Sequence, residues 1–297
     1  MFHCLIEYVF RNDDVVGAPP WTVDARSLSK TQARVILSLE AEGLEVVTLD
    51  GIRQRARISP GFARKLAHDL VGRGWLQPLR RGTYLLNPSH HGPDSLPDAD
   101  PLRIGSHLVE PYYFGFATAA ELHGLLPQAS QLYYVVTPTR ILLGKRTSGW
   151  FRLVRILPRH FFGWRTLVRR RVQLRVSDWE RTLLDCLYRP ELCGGPAGVA
   201  QVFAQAKPKL DWARLGTYLD RFGLRSLTLR AGFLAEQVRP SLPPPDAWVR
   251  ARLPGSGEPF VPLGPPKTFG RKGERDPRWH IIQNVPRSLL FAEGEIP

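Results

Sequence analysis

The sequence predicts an α+β fold in two domains, and three observations carry that prediction. Residues 29–72 hold three short stretches with helical spacing of apolar residues, two of them led by a capping serine. Two apolar runs joined by a basic, glycine-containing turn follow at 75–86, the pattern of a β-hairpin. From about residue 102 helical and β-branched stretches interleave, so the second half mixes helices with strands.

A chain of 297 residues suits two domains with a tail, and 43% hydrophobic with 10% aromatic residues is enough to build packed cores. Lys and Arg number 41 against 27 Asp and Glu, a formal charge of +14. Such an excess implies a polyanionic partner, nucleic acid first, with a ribosome-associated or simply basic protein as the plainer alternative. Cys4, Cys186 and Cys193 form neither a disulfide framework nor a zinc-ligand spacing, which fits a reducing cytosol. The first ten residues lack the basic start of a secretory signal, and no stretch approaches the roughly 18 apolar residues of a spanning helix. The expectation is a cytoplasmic protein without membrane contact.

Residues 1–27 are a poorly patterned leader, possessing an acidic pair (Asp13, Asp14) and Pro19-Pro20. Ser29-Lys30-Thr31-Gln32 is a capping box, followed by Ala33, Ile36, Leu37 and Leu39, with Gly43 as the stop. Residues 46–48 form a short extended piece, and residues 50–57 suit a second helix with Ile52 and Ala56 four apart. A third helix opens at Ser59-Pro60, serine as N-cap and proline where its missing N–H is harmless. Phe62, Leu66 and Leu70 predict its inward face, and Gly72 to Gly74 its end. The hairpin at 75–79 and 83–86 turns at Arg80-Arg81-Gly82. Three helices and a hairpin within residues 28–88 predict a winged helix-turn-helix.

Residues 89–101, rich in Pro, Ser and Asp, are a linker. The second domain, 102–240, is predicted to open a helix at Thr118 that stops at Gly124, with strands at 131–137, 150–157 and 168–176. Ser177-Asp178-Trp179-Glu180 reads as a second capping box ahead of Leu183, Leu184 and Leu187, and Asp211 caps a helix bearing Leu215, Tyr218, Leu219 and Phe222. The tail, 241–297, is Pro-rich; residues 279–285 are its one candidate edge strand, folding back on the second domain.

Charge picks out the candidate site residues. Residues 51–88 carry eight Lys/Arg against one acid, Asp69. Arg64, Lys65 and His68 lie opposite the predicted apolar face of the third helix, where they would meet base edges in a major groove. Arg53, Arg55 and Ser59 flank that helix, and Arg80 and Arg81 at the hairpin tip would reach phosphate or a minor groove. A second cluster spans Glu121 to Asp178, with eleven Arg/Lys and no acid between them. Arg140, Lys145, Arg146, Arg169, Arg170 and Arg171 are its candidate contacts, to DNA or to an acidic protein partner. The aromatics among them (Trp150, Phe151, Phe161, Phe162, Trp164) read mostly as core. No catalytic, metal or cofactor set emerges. His90-His91 falls in the linker, Gly194-Gly195 lacks a phosphate-loop context, and Asp185 and Glu191 lack neighbouring ligands.

Several segments together resemble a known family. They are Arg81-Gly82-Thr83-Tyr84, the run from Tyr112 to Gly124, Tyr134 to Pro138, Val176 to Cys186 and Pro190 to Gly195. Their order and spacing over residues 29–240 resemble the AbiEi antitoxins of abortive-infection toxin–antitoxin systems. The resemblance implies a winged helix that binds inverted repeats in its own promoter and represses it, as a monomer or a cooperative pair on DNA. It also implies a second domain acting against a nucleotidyltransferase-like toxin. The rival readings are a protein-docking module with a basic surface and a nucleic-acid-processing enzyme.

Overall fold

The computed structural model describes residues 26–89, 100–127, 132–140, 149–169 and 172–290. The chain divides into two compact units, Met1–Asp98 and Ala99–Pro297. Both helices and sheets are present throughout, so the fold is α+β.

In the first unit, α1 (Lys30–Ala41) starts on the expected capping box: Ser29 Oγ accepts from the Gln32 N–H, and the Gln32 side chain accepts from the Ser29 N–H. Gly43, at φ +63°, turns the chain out of the helix. β1 (Val46–Thr48) runs straight into α2 (Leu49–Ala56), whose first turn is capped by Thr48 Oγ1 on the Gly51 N–H. α2 closes on Arg57 in the left-handed region (φ 54°), with the Ile58 N–H returning 3.2 Å to the Arg53 carbonyl. α3 (Pro60–Gly72) then starts on Ser59, with Pro60 in the first turn as expected. β2 (Leu76–Arg80) and β3 (Thr83–Leu86) form the hairpin, and β1 adds to it in the order β1-β3-β2. Pro78 is tolerated because β2 is an edge.

Val35, Ile36, Leu39, Val47, Ile52, Ala67, Leu70, Trp75, Leu76 and Leu86 make the core of this unit. Two side chains expected inside point out instead, Leu37 (60% exposed) and Phe62 (66%). In α3 the inward face is Ala63, Ala67 and Leu70, with Leu66 only half-buried. An i, i+4, i+8 row rotates about 40° at each step, so Phe62 starts about 80° from the bearing of Leu70. Ala63 and Ala67 are buried there instead.

The second unit starts with α4 (Pro101–Ser106), β4 (Tyr113–Phe114), α5 (Phe116–Leu122), β5 (Tyr133–Thr137) and β6 (Phe151–Arg155). β7 (Trp164–Arg169), β8 (Val172–Ser177) and α6 (Trp179–Tyr188) follow. The five strands order as β6-β5-β4-β8-β7 in a mixed sheet, with β4-β5 and β7-β8 antiparallel. Where the sequence suggests one strand over 168–176 there are two, Arg169 opposite Val172. α5 starts at Phe116, with Gly115 at its N-cap, rather than at Thr118, which is buried within the helix and accepts the Tyr134 N–H on Oγ1 at 2.8 Å. The cap of α6 is Asp178 on the Arg181 N–H, one residue later than expected; Ser177 ends β8 and pairs with Thr182 Oγ1 at 2.7 Å.

α7 (Gly195–Ala206), α8 (Trp212–Phe222) and α9 (Arg225–Gln237) complete the helical layer, and Asp211 caps α8 as expected. Beyond them lie α10 (Asp246–Arg250), β9 (Val261–Pro262), α11 (Pro266–Phe269), β10 (Glu274–Asp276), β11 (Ile281–Gln283) and α12 (Arg287–Leu290). The expected edge strand at 279–285 is β11, and it is the central strand of a small sheet, β10-β11-β9. This end packs on α9 through Trp279, whose ring would lie 2.0 Å from a Cβ at Gly232 and whose indole N–H reaches Glu236 at 2.8 Å.

Candidate nucleic-acid interface

Among residues 26–89, eleven Lys/Arg face five Asp/Glu, a net +6. How those charges are spent decides which can meet a ligand. Arg55 is committed inward, paired with the Glu42 carboxylate and donating to the Gly51 carbonyl at 3.1 Å. Arg53 pairs with Asp50 at 2.8 Å across one turn and stays 43% exposed. Arg73, absent from the candidate set, ties α3 to Ser27. Ser59 spends its acceptor on the Phe62 N–H at 3.4 Å.

Arg64, Lys65 and His68 are all exposed on α3, away from Ala63, Ala67 and Leu70. At 100° per residue they span an arc of about 100° centred near His68. Arg57 is exposed at the bend between α2 and α3, a cation the candidate set passed over although the same basic run contains it. Arg80 and Arg81 are exposed at the β2–β3 turn, where Gly82 (φ +71°) permits the two-residue reversal between Arg80 and Thr83. Gly82 also accepts the Leu49 N–H at 2.9 Å, anchoring that turn to the start of α2.

In the second unit Arg140 is exposed and Arg169 half-buried at the end of β7. Lys145, Arg146, Arg170 and Arg171 lie outside the described residues. Arg152 and Arg155 on the edge strand β6, Arg165 on the edge strand β7 and Arg159 between the two are exposed as well, and none was among the candidates. Phe151 and Phe162 are buried, Trp150 and Phe161 half-buried, whereas Trp164 is 38% exposed.

Two polar features of this unit, one buried and one half-buried, escape a sequence reading. Arg181 and Asp185 form a wholly buried ion pair at 2.8 Å, one helical turn apart on α6. Arg181 also donates to the His160 carbonyl at 2.7 Å, and the rings of Tyr113, Phe162 and Phe222 surround its guanidinium. Burial raises the Asp185 carboxyl above its ordinary range, and the adjacent guanidinium pulls it back. His123 is the other. Its Nε2 lies 2.6 Å from the Ser177 carbonyl, so Nε2 carries the proton and Nδ1 accepts from Arg165 at 3.3 Å. Burial pushes the pKa of His123 down, the Ser177 carbonyl opposes this, and Arg165 adds to it.

Among the described residues no group of three or more His, Cys, Asp or Glu could hold a metal ion, and no helix is long and apolar enough to cross a membrane. Cys186 and Cys193 are both free and buried. The molecule is thus an α+β protein of two units, with exposed cations on α3, at the β2–β3 turn and along the edges of the larger sheet, and further ones on α8, α9 and the C-terminal elements. No family model and no curated protein matches the sequence. The fold is similar to the crystal structure of the RV2827C protein from Mycobacterium tuberculosis, with a TM-score of 0.66 at 19% identity over 89% of this chain and 95% of that one. At that identity the likeness is one of fold.

Proposed function

We propose that the first unit is a winged helix-turn-helix that docks α3 into the major groove of duplex DNA, and that the protein is a transcriptional autorepressor serving as the antitoxin of an AbiE-like pair. The observation that carries the DNA-binding reading is the exposed trio Arg64, Lys65 and His68 on α3, backed by Ala63, Ala67 and Leu70. The order helix, strand, helix, helix, hairpin supports it, since that arrangement lays its third helix in the groove and its hairpin along the phosphates. Arg57, Arg80 and Arg81 are at the bend and the turn, suited to phosphate contacts that fix register.

The antitoxin role rests on the family resemblance of residues 29–240, and the second unit is its seat in this reading. Its partner is a nucleotidyltransferase-like toxin, met through the basic edge strands. A mobility-shift titration of the full-length protein on the DNA upstream of its own reading frame tests the first part. A retarded complex that Arg64→Ala with Lys65→Ala weakens at least tenfold supports it, and equal affinity for the double variant contradicts it. Growth rescue on co-expression with the neighbouring nucleotidyltransferase-like frame tests the second. Incubation with labelled DNA or RNA and Mg²⁺ or Mn²⁺ should yield no cleavage products.

A further inference from the structure

One side chain on the cationic face of α3 is out of character with its neighbours. Phe62 is 66% exposed, the most exposed aromatic among the described residues. It contributes nothing to the core, because Ala63, Ala67 and Leu70 close the buried side of the helix. Exposing a phenyl ring forgoes hydrophobic stabilisation, and its place beside the exposed cations of α3 leaves it open to whatever they bind. Around it, Pro60 and Gly61 are exposed, and a Cβ added at Gly61 would meet nothing within 4 Å. The ring is thus mostly open to solvent. Lys65 follows one turn later, about 60° around the helix, so ring and cation approach the same ligand.

That ligand has to be anionic at its rim and apolar at one spot in its floor. A DNA major groove fits: phosphates line its edges, and its one apolar feature is the C5 methyl of thymine, which phenylalanine can contact. A ring with neither donor nor acceptor reads nothing else there. We propose that Phe62 is a specificity-determining residue that packs against a thymine methyl in the major groove, while Arg64, Lys65 and His68 supply the polar contacts around it. The inference rests on the DNA-binding reading above and deepens it by naming what the first turn of α3 recognises.

The test uses the full-length protein and a pool of random duplexes. The best-retained duplex is resynthesised with each thymine replaced singly by deoxyuridine, which deletes only the methyl. At one position in each recognised site the replacement weakens wild-type binding about fourfold, the worth of one buried methyl group. Phe62→Ala binds the thymine and deoxyuridine duplexes equally, keeps the wild-type salt dependence, and unfolds at the wild-type temperature because the side chain lies outside the core. Phe62→Leu retains part of the discrimination. Wild-type indifference to every replacement overturns the inference and leaves DNA binding intact. So does undiminished discrimination by Phe62→Ala, and so does a Phe62→Ala protein that loses only affinity for a protein partner. If the wild type retains no duplex from the pool, the DNA-binding reading itself fails, and the inference falls with it.

Discussion

Removing the guanidinium of Arg181 would strand the Asp185 carboxyl in a fully buried site with Tyr113 OH, at 3.5 Å, as its remaining hydrogen-bond partner. An uncompensated buried charge costs about 3–5 kcal/mol, far more than a surface pair. Arg181→Met should therefore lower the unfolding free energy by that order, and Arg181→Met with Asp185→Leu should recover most of it. Denaturant titrations of the single and double variants check this; a double variant as unstable as the single would assign the cost to lost packing. His123 makes a second prediction at this scale. Its pKa lies below the ordinary 6.5, so the folded state binds fewer protons than the unfolded one just below that pH. Its contribution to stability is present above pH 6.5 and is lost as the pH falls beneath it. An NMR titration of His123 should give a pKa under 6.5 that rises in Arg165→Ala, since that guanidinium lies against Nδ1. A value at or above 6.5 would contradict the Nε2–H tautomer and its partial burial.

Among the elements, the bend between α2 and α3 is where stability and binding pull apart. Arg57 sits at φ 54°, a region costing a residue with a Cβ about 1–2 kcal/mol. Glycine there relieves that strain but loses about 0.5–1 kcal/mol of unfolded-chain entropy, leaving a net gain on the order of 0.5–1 kcal/mol. Arg57→Gly should thus melt higher while binding DNA more weakly, a loss that differential scanning calorimetry and a binding titration read separately. Higher melting with unchanged affinity would remove Arg57 from the interface. The elements also divide by how readily the sequence announced them. Helix starts were legible at Ser29 with Gln32, Ser59 with Pro60, and Asp211, whereas the caps of α2 and α4, Thr48 and Asp100, fall in segments that read as an extended piece and a linker. The cap of α6 slipped to Asp178 because Ser177, equally able to cap, is held in β8 with Thr182. The pair β7-β8 reads as one strand in its second half because Val168 to Val176 is unbroken by glycine or proline. Orientation was the least legible property. Phe62 and Leu66 fit an apolar row by spacing, but the buried residues are Ala63, Ala67 and Leu70, and spacing carries no record of which side of a helix its neighbours cover.

On the scale of the whole molecule, the +14 charge is not spread as free cations. Arg55, Arg73 and Arg181 are spent holding the fold together, while exposed arginines and lysines stand on α3, at its flanking bend and turn and on the sheet edges, with further ones on α8, α9 and the C-terminal elements. The sequence gives the excess and its clustering, whereas the division between structural and outward arginines depends on where Glu42, Ser27 and Asp185 fall in the folded chain. The resemblance to AbiEi antitoxins belongs to this scale too, since it lies in the order of motifs along 29–240 and in no single residue. The most direct measurement is the salt dependence of binding to the upstream duplex. If 6–10 phosphates are contacted, affinity falls about 10³–10⁵-fold between 50 and 200 mM salt, and the slope of log affinity against log salt shrinks by about 1 for each phosphate-contacting arginine removed, Arg57 or Arg81. Binding that ignores salt, or a slope untouched by removing either arginine, would contradict the account.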